Sequence, residues 1–236
     1  MKGLSSGDSA LQKVRAAKEA LTHVESNMLV GLGSGSTAHY AIEALGDLLE
    51  RGELTDIAGV PTSEASGALA RKRGIPLIDL PAGGVDVAID GIDEITPELD
   101  AIKGLGGALT REKMVAASAS MLILIGDASK AVDRLGMKAP IPVEILPFGW
   151  RRTQTDLEAL GCRPRLRQVA EQTFLTDNGN YILDCFVSPP IDAVQLACAL
   201  ALQPGVVEHG LFLGMAQLAY IATAETVRTY RKGERR

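Results

Sequence analysis

The chain has 236 residues, 46% hydrophobic and 22% charged, with a net charge of −5, which is room for one large domain or two modest ones with cores of their own. The acidic balance counts against nucleic acid as the main partner, because phosphate binding needs concentrated Lys and Arg, and 4% aromatic residues offer no stacking platform for bases. No stretch has the apolar length of a membrane span and no basic-then-apolar leader opens the chain, so a cytoplasmic protein is expected, with neither nucleic acid nor membrane as partner.

Residues 1–8 are small and polar and read as loose. Ser9 is placed to cap a helix with Leu11, Val14, Ala17 and Leu21 as its apolar positions. Residues 28–30 form a short buried strand that runs into Gly31-Leu32-Gly33-Ser34-Gly35-Ser36-Thr37. A helix follows, with Ala41, Ile42, Leu45, Leu48 and Leu49 on one face and Gly52 as its stop. Strand, glycine loop and helix form the context in which a glycine run means anion binding, because backbone N–H groups face the anion and the helix dipole favours its charge. Gly31, Gly33 and Ser36 nearly fit the dinucleotide fingerprint. A nicotinamide enzyme also needs an acidic residue at the end of the next strand, and Asp56 lies before that strand. Hydroxyls at Ser34, Ser36 and Thr37 suit a phosphate monoester, and a tight turn with a capping serine is the plain structural alternative.

The next strand spans 57–60, and Thr62-Ser63-Glu64 opens a helix that stops at Gly74. After a short apolar segment at 76–80, the strand at 85–89 ends on Asp90, Asp93 and Glu94. Lys103 follows with Gly104, Gly106 and Gly107, and Thr110-Arg111-Glu112-Lys113 begins a helical pattern. Carboxylates at a strand end, a lysine in a glycine turn and a glutamate in a first helical turn read as a reaction site, since open parallel sheets collect ligands at the carboxyl ends of their strands. The three carboxylates could hold Mg²⁺ with waters, but a positioned lysine already supplies positive charge and no metal is expected. Residues 121–125 are a strongly apolar strand ending in Gly126-Asp127-Ala128-Ser129-Lys130. Strands alternating with helices indicate a mostly parallel sheet covered by helices.

From Pro140 the texture changes. Pro140, Pro142 and Pro147 bracket a strand at 143–146, followed by a helix at 153–160 and a strand at 163–167. Residues 173–176 and 181–184 flank Asn178-Gly179, the signal for a hairpin. A helix at 191–202 and a strand at 206–213 complete the order β-α-β-β-α-β of a ferredoxin-like unit. Residues 214–236 are expected to return to the first domain, and the basic run at 228–236 reads as a solvated terminus. Three cysteines without C-x-x-C spacing read as buried thiols. The three histidines are not catalytic candidates, and Trp150 reads as packing between domains.

Six stretches, in order, resemble the ribose-5-phosphate isomerase family of the A type. They are residues 33–37, Asp90-Gly91-Ile92-Asp93-Glu94, residues 103–113, Asp127-Ala128-Ser129-Lys130, residues 142–147 and Thr176-Asp177-Asn178-Gly179-Asn180. The resemblance implies an α/β fold: a Rossmann-like, mostly parallel sheet domain (1–137 and 212–236) with a smaller inserted α+β ferredoxin-like domain (138–211). It implies a cofactor-free isomerase of ribose 5-phosphate and ribulose 5-phosphate, a step of the pentose phosphate pathway, and a homodimer or homotetramer. It places Glu112 at the general base and Asp90, Asp93 and Lys103 at the other catalytic positions. Substrate contacts are implied at Ser34, Gly35, Ser36, Thr37, Asp90, Gly91, Ile92, Asp93, Lys103, Gly104, Leu105, Gly106 and Lys130. Leu105 departs from the family's usual glycine and would be strained if its backbone required positive φ. A related sugar-phosphate deaminase and a non-catalytic sugar-phosphate sensor are the other readings, and the presence of Glu112 and Lys103 counts against the sensor.

Overall fold

The computed structural model describes residues 6–234; residues 1–5 and 235–236, and the readings that fall on them, lie outside the described residues. The chain divides into two compact units, one of residues 1–92, 111–131 and 215–236, the other of residues 93–110 and 132–214.

In chain order the first unit opens with α1 (Ser6–Leu21), β1 (Leu29–Leu32), α2 (Gly35–Glu50), β2 (Ala58–Pro61), α3 (Glu64–Lys72) and β3 (Val85–Gly91). The chain then enters the second unit through β4 (Glu94–Ile95) and β5 (Ala101–Ile102), and α4 (Leu109–Ser118) carries it back into the first unit at β6 (Ala119–Asp127). The second unit resumes with β7 (Ile141–Ile145), α5 (Trp150–Ala159), β8 (Arg163–Leu166), β9 (Gln168–Val169), β10 (Gln172–Thr173), β11 (Tyr181–Phe186), α6 (Ala193–Ala201), β12 (Val206–His209) and β13 (Leu211–Phe212). The first unit closes with β14 (Leu218–Ala222) and β15 (Val227–Arg231).

The six-stranded sheet of the first unit has the order β15-β14-β6-β3-β1-β2. All its pairings are parallel except β14 with β15. Leu122, Ile123, Leu124 and Ile125 of β6 are all buried, because a strand covered on both faces has no polar side to alternate with. Val30, Leu32, Val87, Ile89, Ile123, Ile125, Leu218 and Tyr220 share one core with α1, α2 and α3. Gly31 lies on the opposite face, where a Cβ would meet Val115 at 2.5 Å; α4 therefore packs directly on the backbone of β1.

Two readings, of α1 and of the basic run near the C-terminus, need refinement in this unit. Helix α1 starts at Ser6, and it buries Gln12, Ala16, Ala17, Ala20 and Leu21 while Leu11 is 51% exposed. The alanines, which add no bulk between helix and strands, make the contact. The segment at 76–80 makes only one bridge, Gly59 with Leu77. The basic run at 228–236 begins inside the antiparallel edge strand Val227–Arg231, on which Arg228 and Arg231 stay exposed to solvent.

The second unit has a four-stranded antiparallel sheet of order β12-β7-β11-β8, with α5 and α6 as its helices, which is the ferredoxin-like βαββαβ arrangement. The same unit holds a small three-stranded sheet of order β13-β5-β4. The expected hairpin is corrected. Residues 181–186 pair with β7 and β8, while residues 173–176 do not pair with them; a short hairpin β9-β10 forms instead, turning at Ala170 and Glu171 with φ of 49° and 65°. The residues around Asn178-Gly179 turn inward to a buried carboxylate: Glu144, 0% exposed, accepts hydrogen bonds from Thr176 Oγ1 (2.9 Å), Asn178 Nδ2 (3.1 Å) and Asn180 Nδ2 (2.8 Å). The strand at 206–213 is two strands in two sheets, broken at Gly210, where a Cβ would fall 2.2 Å from the Lys103 carbonyl oxygen. Trp150 packs on the core of its own unit. Cys162 and Cys185 are buried but Cys198 is exposed. The hydrogen bond that the Cys185 thiol donates to Cys162, and then burial, push it far above its ordinary range, so it stays neutral.

Candidate active site

In the first unit, β2 and β3 flank β1 on opposite sides, so the loops after β1 and β3 leave the sheet in opposite directions and open a crevice at its carboxyl edge. The loop after β1 holds the glycine run. Gly33 is required by contact: a Cβ there would lie 2.2 Å from Asp90 Oδ1 and 2.6 Å from Asp90 Cα. Asp90 Oδ1 accepts from Ser34 N (3.1 Å) and Gly91 N (2.7 Å), which joins the ends of the two strands. Gly35 has φ +89°.

Ser34 is the residue before α2, yet its side chain makes no cap bond to the helix. Its Oγ lies 2.7 Å from both Thr62 Oγ1 and Ser63 Oγ. These two residues stand where a dinucleotide-binding fold carries its ribose-binding carboxylate, which disposes of the nicotinamide reading. The first turn of α2 is thereby left to bind something other than its own cap. Thr37 is buried beside Gly91.

Lys13 was not among the residues expected here. It donates from Nζ to Ser36 Oγ at 2.8 Å and lines a cavity of about 510 Å³ with Gly33, Ser34, Gly35, Ser36, Ser63 and Ser66. Its position on a helix face carries no sequence signal, since it reaches the loop only through the packing of α1 on α2.

After β6, Asp127 caps a single 3₁₀ turn by accepting from Ser129 N at 2.9 Å. The Ile92 side chain and the Lys130 stem both lie over Gly126, 2.8 and 3.5 Å from where its Cβ would be. The loop, Asp90, Ile92 and Lys130 thus occupy the ends of three adjacent strands. Because α4 runs straight into the start of β6, its opposite end is at the same carboxyl edge, and that end carries Glu112, 4% exposed.

The second unit brings together Asp93 and the turn at 103–107. Asp93 N donates to Ile102 O at 2.9 Å, and Asp93 Oδ2 accepts from Leu105 N at 2.9 Å. Lys103 is 2% exposed; its N–H bonds to Gly210 O at 2.9 Å and its Nζ lies 5.4 Å from the Phe212 ring centroid. Positive φ falls on Gly104 (+101°) and Gly107 (+89°), not on Leu105. The feared strain at Leu105 is therefore absent, and its side chain is 41% exposed. Glu94 is taken out of any metal set by three backbone amides, Gly136 N at 2.7 Å, Ala139 N at 2.6 Å and Lys138 N.

A buried carboxylate at a helix start, a buried ammonium in a glycine turn and an uncapped loop rich in hydroxyls are the groups that proton transfer next to a carbonyl of a phosphorylated substrate requires. The family described as ribose 5-phosphate isomerase A (phosphoriboisomerase A) matches residues 58–226. Ribose-5-phosphate isomerase A of Deinococcus radiodurans is 51% identical over 215 residues, covering 91% of this chain and 95% of that one. The Thermococcus kodakarensis protein of the same name is 43% identical over 219 residues, covering 92% and 96%. Among solved structures, ribose 5-phosphate isomerase from Plasmodium falciparum superposes with a TM-score of 0.92 at 42% identity, covering 95% of this chain and all of the other. A D-ribose-5-phosphate isomerase in complex with phospho-erythronic acid gives 0.91 at 40% identity, covering 94% and 99%.

Proposed function

The chain belongs to the ribose 5-phosphate isomerase A family, and from that premise we propose how its own residues carry out the reaction. The protein is an aldose–ketose isomerase that interconverts D-ribose 5-phosphate and D-ribulose 5-phosphate, a step of the pentose phosphate pathway. Glu112 is the general base. It removes the C2 proton of the open-chain aldose, the electron pair forms the C1–C2 double bond, and charge develops on O1. The same carboxyl returns the proton to C1 while the proton of the C2 hydroxyl passes to O1 and the C2=O bond forms, which gives the ketose. Lys103 stabilises the enediolate oxygens as charge develops on them. Asp90 and Asp93 serve ring opening and the proton traffic between hydroxyls.

The phosphate goes to the first turn of α2, with Ser34, Gly35, Ser36 and Thr37, and Lys13 supplies charge there beside Lys130. The bond from Lys13 to Ser36 supports this, because it sets a cation at the mouth of an anion-binding loop. Gly91, Ile92, Gly104, Leu105 and Gly106 complete the substrate contacts. No cofactor or metal enters this reading. Among the described residues no helix is long and apolar enough to cross a membrane; a cytoplasmic location and a homodimer or homotetramer are part of the proposal.

The observation that carries the assignment of the base is the burial of Glu112 in the first turn of α4 at the carboxyl edge of the sheet, since a carboxylate is withheld from water there only at a cost. The test is conversion of ribose 5-phosphate by purified protein in EDTA, beside Glu112→Gln. The expected result is EDTA-insensitive turnover by the parent and a loss of kcat of roughly 10²–10⁴-fold in a variant that folds. Equal activity in both would remove Glu112 from the mechanism.

A further inference from the structure

We propose that Arg167 is a positioning residue for the isomerisation, acting through the turn at 103–107. This rests on the reading that Lys103 and the turn's amides meet the substrate. Arg167 follows β8, and its side chain is 10% exposed. Asp184 on β11 fixes one edge of the guanidinium, taking Nε at 2.9 Å and also Nη2. Nη1 faces the other way and donates to two consecutive carbonyls, Gly104 O at 3.1 Å and Leu105 O at 2.9 Å.

The direction of those carbonyls decides the direction of the amides. Across a trans peptide the C=O of one residue and the N–H of the next point in opposite senses. With the oxygens of Gly104 and Leu105 both held on Arg167, the N–H groups of Leu105 and Gly106 are turned to the far side. The Leu105 N–H meets Asp93 Oδ2 at 2.9 Å, as that geometry demands. The Gly106 N–H is aimed to the same side, and around Gly106 nothing stands within 4 Å of where a Cβ would be. The backbone at Leu105 is what lets two successive carbonyls share one donor: it lies inside a turn closed by Gly107 N–H on Gly104 O at 3.0 Å, whereas extended backbone would alternate them.

Phe174 closes the underside. Its ring atoms lie 2.4 and 2.6 Å from the place of a Gly107 Cβ, its centroid is 5.8 Å from the Arg167 guanidinium carbon, and its N–H bonds to Arg167 O at 3.0 Å. Charged donors on the two carbonyls also polarise the peptides and strengthen their N–H groups as donors. Arg167 thus orients and strengthens the amide of Gly106 toward a substrate oxygen that it does not itself touch.

The experiment compares Arg167→Met, Arg167→Lys and Asp184→Asn with the parent in ribose 5-phosphate isomerisation, thermal unfolding and backbone hydrogen exchange over residues 103–107. Arg167→Met is expected to lower kcat ten- to a hundredfold with KM within threefold. Arg167→Lys, which keeps charge but not the fork, is expected to recover part of kcat, and Asp184→Asn to fall between. Exchange at 103–107 is expected to rise in Arg167→Met while the rest of the unit keeps its protection. A folded Arg167→Met with parental kcat, or with parental exchange in the turn, overturns the proposal. If Arg167→Met does not fold, a parental kcat in Arg167→Lys and Asp184→Asn overturns it equally. A parent without isomerase activity would sink the functional reading instead, and the exchange measurement would still decide whether Arg167 holds the turn.

Discussion

Gly33 shows how little room single residues have at the sheet's carboxyl edge. The two strand ends approach so closely that the Cβ of an alanine would overlap both the carboxylate and the Cα of Asp90. Backbone cannot yield as a flexible side chain would, so Gly33→Ala has to part β1 from β3 or drive Asp90 out of its bonds with Ser34 N and Gly91 N. Urea unfolding is expected to show a loss of about 1–3 kcal/mol, the usual range for overpacking. Isomerase turnover is expected to fall by more than tenfold, since Asp90 moves with the strand. Leu105 is the contrasting case. Its φ is ordinary, so a residue that looks like a fault in a glycine turn is accepted there without strain.

At the scale of elements, the buried carboxylate of Glu144 ties together segments that are distant in sequence. Besides the three donors of residues 176–180, it accepts from Thr110 Oγ1 at 2.6 Å, and Thr110 stands in the opening turn of α4, two residues before Glu112. Glu144→Leu would strand four donors at once, and urea unfolding is expected to show a loss of about 3–5 kcal/mol, as when one partner of a buried charged pair is removed. Glu144→Gln keeps one carbonyl for the 176–180 donors and offers Thr110 an amide to accept from, so less than half of that loss is expected. This network also explains which elements could be read in the sequence. The parallel strands, the glycine loop and α2 follow from apolar runs and breakers that act locally, and they were legible. The Asn-Gly turn was legible too, but its strand partner was not, because Thr176, Asn178 and Asn180 are drawn to Glu144 more than thirty residues away. Lys13, Thr62, Ser63, Arg167 and Asp184 escaped for the same reason: each reaches its place through tertiary packing, with no spacing in the chain to mark it.

At the scale of the molecule, the first unit is assembled from three separate stretches of chain, with the second unit formed from the segments between them. The last stretch is not an appendage. Strand β14 lies between β6 and β15 in the sheet, and Leu218, Ala219, Tyr220, Ile221 and Ala222 are all buried. A chain ending at Gly214 would leave β6, with its run of Ile and Leu, as an uncovered parallel edge. Such an edge is a template for other chains, so this truncation is expected to yield aggregate rather than monodisperse protein on size-exclusion chromatography. The strand order therefore bears on how the protein is made. During synthesis β1, β2, β3 and β6 emerge long before the strand that completes their sheet, and a nascent chain must wait with an apolar edge exposed. Closure of the sheet waits until β14 has emerged from the ribosome, and until then the growing chain is a natural client for chaperones.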